Sequence, residues 1–426
     1  MNTLVPVVFP LFFLLLTGLA GAAADSLSLD DCLSLAERNN PKGFLSTNAI
    51  QSADLARREL RSQSLPQLKF KGTLEYAPVG KHLGYDPALT NQGQIGSQLV
   101  VEQTLYDGGQ RGIKARQADL EWTRTNRERK IAELDLRFEV TQAFTDVLRL
   151  QEDLELKKAG VIRLRDYSAL VSRMHVGGQA GFTDVLKTRI QLSEAESAAL
   201  QAAADLQGAK YALGEMLGGD MNDSLQVKGD LDSSEIPAPL DTNGNADWEV
   251  AKLSMQTAEL DVATAHGEWK PTLAVSADLG LLTSVDNLQL PAGERASMLG
   301  GSLGMHVDMP VFAWGLRRIH IRRGELAAEN ARWTWLSQRR GLLVDYRKTW
   351  LQWETARDHR NALRSNLAAA RDNFLLTRSK YAGGSGLASE VLDAQKLWVD
   401  TQSALVQSEA DLRTLSARLK RLEAHG

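Results

Sequence analysis

Gln67-Leu68-Lys69-Phe70-Lys71-Gly72-Thr73-Leu74-Glu75-Tyr76 alternates along its whole length. The even positions are Leu68, Phe70, Gly72, Leu74 and Tyr76; the odd ones are Gln67, Lys69, Lys71, Thr73 and Glu75. Side chains of a strand point to opposite faces in turn, so this segment has one apolar face and one wet face. A tilted strand of about 9–11 residues crosses a bilayer, and apolar-out, polar-in is the pattern of a membrane barrel wall. A soluble sandwich strand shares the alternation, so the rest of the chain has to decide between them.

Three further segments repeat the pattern. In 98–105, Leu99, Val101 and Leu105 oppose Gln98, Glu102 and Thr104, with Val100 and Gln103 off pattern. Leu273, Val275, Ala277 and Leu279 oppose Thr272, Ser276 and Asp278. Leu303, Met305, Val307 and Met309 oppose Ser302, Gly304, His306 and Asp308. The sequence therefore predicts strands at 67–76, 97–106, 271–281 and 301–311. Lys69, Lys71, Glu75, Glu102, His306 and Asp308 fall on the water-facing side. Tyr106, Trp269, Phe312 and Trp314 gather where strands meet helices, as in an interfacial girdle. Four strands are too few to close a barrel, which takes about eight, and open edges are not tolerated in lipid. The chain is therefore expected to oligomerise; three copies of four strands would give twelve.

The 11 prolines locate the helices: none lies between Pro87 and Pro237, and none follows Pro310. Proline costs about 3 kcal/mol inside a helix, so both stretches are free to be long helices. Each is broken once by glycine, at Val176-Gly177-Gly178-Gln179-Ala180-Gly181 and at Ala382-Gly383-Gly384-Ser385-Gly386. The reading is two helical hairpins with glycine tips, 110–218 and 316–424, whose outgoing arms would each be on the order of 100 Å long.

The two hairpins belong to an internal repeat. Gln103 to Arg111 matches Met309 to Arg317 at an offset of 206, which Gly177-Gly178 and Gly383-Gly384 keep. Upstream, Pro66-Gln67-Leu68 matches Pro271-Thr272-Leu273 at 205. The return arms carry heptad seams: Val185, Leu192, Ala199, Leu206, Leu213 beside Thr188, Ala195, Ala202, Ala209, Met216, and Val391, Trp398, Leu405, Leu412, Leu419 beside Ala394, Thr401, Ser408, Leu415, Leu422. A sustained seven-residue repeat implies left-handed supercoiling.

Residues 1–24 read as a signal peptide, with an apolar run from Leu4 to Leu19 and Ala22-x-Ala24 before the cut. The remainder divides into a first repeat at 25–218, a polar linker at 219–247 and a second repeat at 248–426. After the leader no apolar run is long enough for a helical span, so a membrane location would require strands. With a net charge of −4 the chain is not basic enough to suggest nucleic-acid binding. Cys32 is the only cysteine, which excludes an intramolecular disulfide. His306 and Asp308 share a strand face and could pair or take part in a metal site, but no third ligand is in view. Gly108-Gly109 precedes a helix without a phosphate-binding motif, and Gly109 and Gly315 read as strand-to-helix turns. No catalytic arrangement stands out, so neither enzyme activity nor a cofactor is expected.

Taken in order, these marks resemble the TolC family of outer-membrane efflux proteins. They are Leu29 to Pro41 ending in Asn-Pro, Leu65-Pro66-Gln67-Leu68, the Gly109/Arg111 and Gly315/Arg317 turns, and the tips from Gly178 to Leu186 and from Gly384 to Leu392. The resemblance implies a mixed α and β membrane protein: a homotrimer with a 12-stranded barrel in outer-membrane lipid, continuous with a 12-helix tunnel in the periplasm of a Gram-negative cell. It implies a passive exit duct for tripartite efflux or type I secretion, working with a periplasmic adaptor and an inner-membrane transporter of the RND, ABC or MFS type. The linker would form a belt around the tunnel, and the tips at Gly177, Gly178, Gly383 and Gly384 would receive the adaptor. Asp184, Tyr381, Glu390 and Asp393 would form the periplasmic gate, Tyr381 latching onto Asp184. Gly386 stands where the family's second latch has an arginine. The alternative is that the chain is itself a periplasmic coiled-coil adaptor; such proteins have one hairpin flanked by lipoyl-like halves.

Overall fold

The computed structural model describes residues 26–76, 93–219, 225–231, 245–284 and 298–423. The expected leader, most of both strand-connecting loops and most of the 219–247 linker lie outside these residues. The described elements are α1 (Leu29–Asn39), α2 (Pro41–Gln63), β1 (Gln67–Tyr76), β2 (Gly93–Asp107), α3 (Gln110–Val176), α4 (Phe182–Met216), α5 (Ala246–Gly267), β3 (Thr272–Ser284), β4 (Met298–Asp308), α6 (Leu316–Ala382) and α7 (Ala388–Glu423).

The chain forms two compact units, and neither follows the repeat boundary. One comprises residues 1–36, 140–233 and 362–410; the other comprises 37–139, 234–361 and 411–426. Each draws on both halves of the sequence because the long helices of the two repeats pack side by side.

The first unit holds both glycine tips. Its core joins Leu164, Tyr167, Val171 and Val185 from the first repeat to Phe374, Tyr381, Val391 and Ala394 from the second. Trp398 stacks on Phe374 with ring centroids 5.3 Å apart. Every seam position of α4 is buried or half-buried, as a coiled-coil seam requires. A fragment of the linker packs here too: Leu27 and Val227 form a parallel bridge, Val227 and Leu231 are buried, and Gly229 lies close against Phe144 and Leu148.

The second unit holds the sheet, four antiparallel strands in the order β1-β2-β3-β4. Leu68 pairs with Val101, Val101 with Ala277, and Ala277 with Leu303, so apolar residues stay on one face across all four strands. Lys71, Gln98, Gly280 and Gly300 mark the other face. The helical part of this unit is built on Tyr346, Trp353, Leu412 and Leu419, with the Trp353 indole N–H donating to Ser416 Oγ at 3.0 Å. Arg421 ties the end of α7 to α3 and α5 through Asp135 and Asp247.

Proline and glycine account for the ends. Asn40 closes α1 and opens α2, its carboxamide accepting the Lys42 N–H at 2.9 Å with Pro41 in the first turn. The outgoing helices α3 and α6 each run 67 residues without interruption. At 1.5 Å per residue that is about 100 Å of helix each.

Candidate functional site

Two regions carry the sequence-derived candidates: the sheet and the tips. On the sheet, the expected lipid face is bare in the isolated chain. Phe70 is 72 % exposed and Leu74 79 %, and Leu68, Tyr76, Leu299, Leu303, Met305 and Val307 are exposed with them. A patch of this size on one face marks an apolar contact surface. The other face carries the six expected pore residues. Lys69 pairs with Glu102 at 2.6 Å. His306 Nε2 lies 2.9 Å from Ser276 Oγ on the neighbouring strand. Ser302 donates to Asp278 beside them. Among the described residues, no cluster of three metal-ligating side chains forms.

The expected strand 301–311 ends at Asp308, and 309–313 is not strand. The equivalent residues of β2 remain strand through Asp107 because β3 pairs with Tyr106 and Asp107. Among the described residues, no strand of the same chain reaches that edge of β4.

At the tips both outgoing helices end in the same cap. Gly178 has φ +71° and Gly384 φ +78°. Gln179 N–H donates to Met174 O at 2.8 Å and Gly178 N–H to His175 O at 2.9 Å; Ser385 N–H donates to Lys380 O and Gly384 N–H to Tyr381 O, both at 3.0 Å. This is the Schellman arrangement, in which the residue after the helix adopts a left-handed backbone that glycine takes without strain. Gly177, Gly178, Gly383 and Gly384 are exposed.

The gate candidates fall beside these caps in the same unit. Tyr381 is 5 % exposed, and its ring meets Tyr167 edge-on at 5.5 Å. The Tyr381 hydroxyl is buried without a hydrogen-bond partner, so the bond to Asp184 is not formed in the single chain. Asp184 is nevertheless near enough to be felt: burial first, then the Asp184 charge, pushes the Tyr381 phenol above its ordinary range. Tyr167, which no sequence spacing singles out, donates its hydroxyl to Ala388 O at 3.3 Å. Glu390 and Asp393 are exposed, and Glu390 Oε2 accepts the Leu387 N–H at 3.3 Å, turning back over the first turn of α7. Glu390 is thus a helix cap in the single chain, with Asp393 beside it facing solvent. At Gly386 a Cβ would approach Tyr381 N at 3.0 Å, so this position is closed to a larger residue without a shift.

Residues 33–219 and 242–424 match the sequence profile described as outer membrane efflux protein, one stretch per repeat. The outer membrane efflux protein BepC of Brucella suis is 24 % identical over 410 residues, spanning 95 % of this chain and 86 % of that protein. The proteases secretion protein PrtF of Dickeya chrysanthemi is 23 % identical over 428 residues, spanning 94 % and 88 %. The crystal structure of the Campylobacter jejuni CmeC outer membrane channel has the same fold, with a TM-score of 0.80 at 15 % identity over 92 % of this chain and 85 % of that one. The profile spans both repeats: the chain belongs to the outer membrane efflux protein family.

Proposed function

We propose that this chain works as one subunit of a homotrimeric exit duct whose pooled strands form a closed barrel in outer-membrane lipid. The family is one of outer-membrane channels for efflux and secretion, a transport family rather than an enzyme family. One observation carries the oligomeric reading: among the described residues, the sheet of four strands has a continuous bare apolar face and two free edges. Free edges cannot be left in a bilayer. Three copies of four strands make twelve, enough to enclose a water-filled lumen lined by Lys69, Lys71, Glu75, Glu102, His306 and Asp308.

The glycine tips would receive a periplasmic adaptor, which couples the duct to an inner-membrane transporter of the RND, ABC or MFS type. Both tips offer exposed backbone in matching caps. Asp184, Tyr381, Glu390 and Asp393 would line the periplasmic entrance, where three copies gather six carboxylates from Glu390 and Asp393 alone and favour cations. Tyr381→Phe with Asp184→Ala is expected to raise single-channel conductance in planar bilayers. Glu390→Gln with Asp393→Asn is expected to reduce cation selectivity. Passive conduction needs no catalytic residue.

The deciding experiment is outer-membrane fractionation followed by an unheated SDS gel. Phe70→Arg or Leu74→Arg should lose the trimer band, because a charge on the lipid face costs about 2–4 kcal/mol near the midplane. Lys69→Gln should keep it. A soluble monomer from the parent chain, or equal trimer yields from both sets, would overturn the reading.

A further inference from the structure

We infer that a second copy of this chain docks on the free edge of β4 in one defined register, with Asp308 directly opposite Lys71 of the partner subunit. The inference rests on the ring reading above and adds what that reading lacks: which residues meet across the joint.

The internal repeat supplies the register. In the first hairpin Gln67 pairs with Glu102 and Leu74 with Ile95. Adding 205 to the first strand and 206 to the second gives Thr272 with Asp308 and Leu279 with Gly301, which are the pairs the second hairpin makes. The two hairpins are therefore copies residue by residue. The first hairpin also has a neighbour on its far side: β2 pairs with β3, Glu102 opposite Ser276, Leu99 opposite Leu279 and Tyr106 opposite Leu273. Among the described residues, the second hairpin has no such neighbour in its own chain. Its neighbour would be β1 of the next copy. Applying the same offsets to those pairs puts Asp308 opposite Lys71 of the partner subunit (276 − 205 = 71), Met305 opposite the partner's Leu74, and Phe312 opposite the partner's Leu68.

Three independent observations agree. First, the faces match: each derived pair sets apolar against apolar or polar against polar. A slip of one residue would carry the charges of β1 onto the lipid face. Second, the charges match. Lys69 is already paired with Glu102 in its own chain, whereas among the described residues neither Lys71 nor Asp308 makes a side-chain ion pair. The register brings these two opposite charges together. Third, the loose segment is explained. Gln103 to Asp107 of β2 pairs with β3 alone, and its counterpart, Met309 to Ala313, is not strand. There Val311 is 88 % and Phe312 73 % exposed. The two strands differ in length just where the partner is missing. Pro310 stands where Thr104 stands, at the register shift of β2, a place where proline is tolerated.

Disulfide trapping tests this. Residues directly opposite on antiparallel strands have Cα atoms about 4.5–5.5 Å apart, within disulfide reach, whereas diagonal neighbours lie about 7–8 Å apart. In a Cys32→Ser background of the full chain, Lys71→Cys with Asp308→Cys should give covalent oligomers that survive heating in SDS and vanish on reduction. Lys69→Cys with Asp308→Cys and Thr73→Cys with Asp308→Cys should lose that band. If an off-register pair cross-links better, or no pair does while unheated gels still show trimers, the register is wrong and the ring stands. If the parent runs as a monomer unheated, ring and register both fall. Charge exchange is the second arm: Lys71→Asp and Asp308→Lys singly should reduce trimer yield, and the double variant should recover it. A double variant no better than the singles would overturn the Asp308–Lys71 pairing.

Discussion

The two strand-to-helix corners share a backbone and differ in almost everything else. The first is Asp107-Gly108-Gly109, the second Ala313-Trp314-Gly315. Both pass through the left-handed region twice, at φ 72° and 89° in the first and 47° and 82° in the second. In the first corner Asp107 caps the helix, accepting Gly109 N–H at 3.2 Å and Arg111 N–H at 2.8 Å. Arg111 in turn donates to Thr104 O at 2.6 Å. A Cβ on Gly108 would lie 2.7 Å from Gly267 O and 2.9 Å from Lys270 Cβ. In the second corner the cap is only the backbone, Leu316 N–H donating to Ala313 O at 2.8 Å. Trp314 is 89 % exposed and meets Phe312 edge-on at 4.9 Å. Duplication preserved the path of the chain, while the surroundings chose the residues. The inner corner is closed by its own chain. The outer corner, at the end of the free edge, carries an indole in the left-handed region, at a cost of roughly 1–2 kcal/mol. An aromatic residue suits that place if it meets the membrane interface.

The largest expected effect comes from making the inner corner resemble the outer. Gly108→Trp adds left-handed strain to a collision with backbone, together about 2–5 kcal/mol. Trimers should be absent from the outer membrane; normal assembly would show that the two corners are interchangeable. Next is the cap. Asp107→Ala should destabilise by about 1–2 kcal/mol in urea unfolding followed by circular dichroism. Equal stability to the parent would remove the side-chain cap from the comparison. Smaller and opposite in sign is Trp314→Gly, which relieves the strain. It should stabilise the detergent-solubilised protein by about 1 kcal/mol while lowering outer-membrane yield. A loss of stability would mean that the indole is packed rather than exposed. The smallest effect is Arg317→Met, within about 0.5 kcal/mol as for an ordinary surface residue, against a clear loss for Arg111→Met. Equal losses would erase the distinction between the corners.

Much of this architecture is legible in the residues, for identifiable reasons. Period-2 alternation marked all four strands, because each has one apolar face. Proline-free runs and the two Gly-Gly pairs marked the hairpins, because helices exclude proline and Schellman caps favour glycine. The register was not legible. The strands of each hairpin lie too far apart in sequence for two-residue turn chemistry to fix which residue meets which. Hence Lys69–Glu102 and Ser276–His306 emerge only from the structure. α2 was missed because Asn40-Pro41 reads as a helix end, although the same Asn caps the next helix. Tyr167 gave no signal because its role depends on Ala388 and Tyr381, far away in sequence. For the proposed entrance, the carboxylates and the tyrosine come from resemblance alone; the capping duty of Glu390 and the unpartnered Tyr381 hydroxyl come only from the structure.

The equal length of α3 and α6, 67 residues each, constrains how such a protein can change size. One residue inserted in either helix advances everything beyond it by about 1.5 Å and rotates it by about 100°. The insertion would turn a seam residue toward solvent and put the two tips out of phase. Only an addition of about seven residues brings the seam back to the same side. It would have to be made in the outgoing and return arms of both repeats at once. Ducts of this design therefore keep an undistorted coil only when their reach grows in steps of about 10 Å; intermediate lengths locally over- or underwind it.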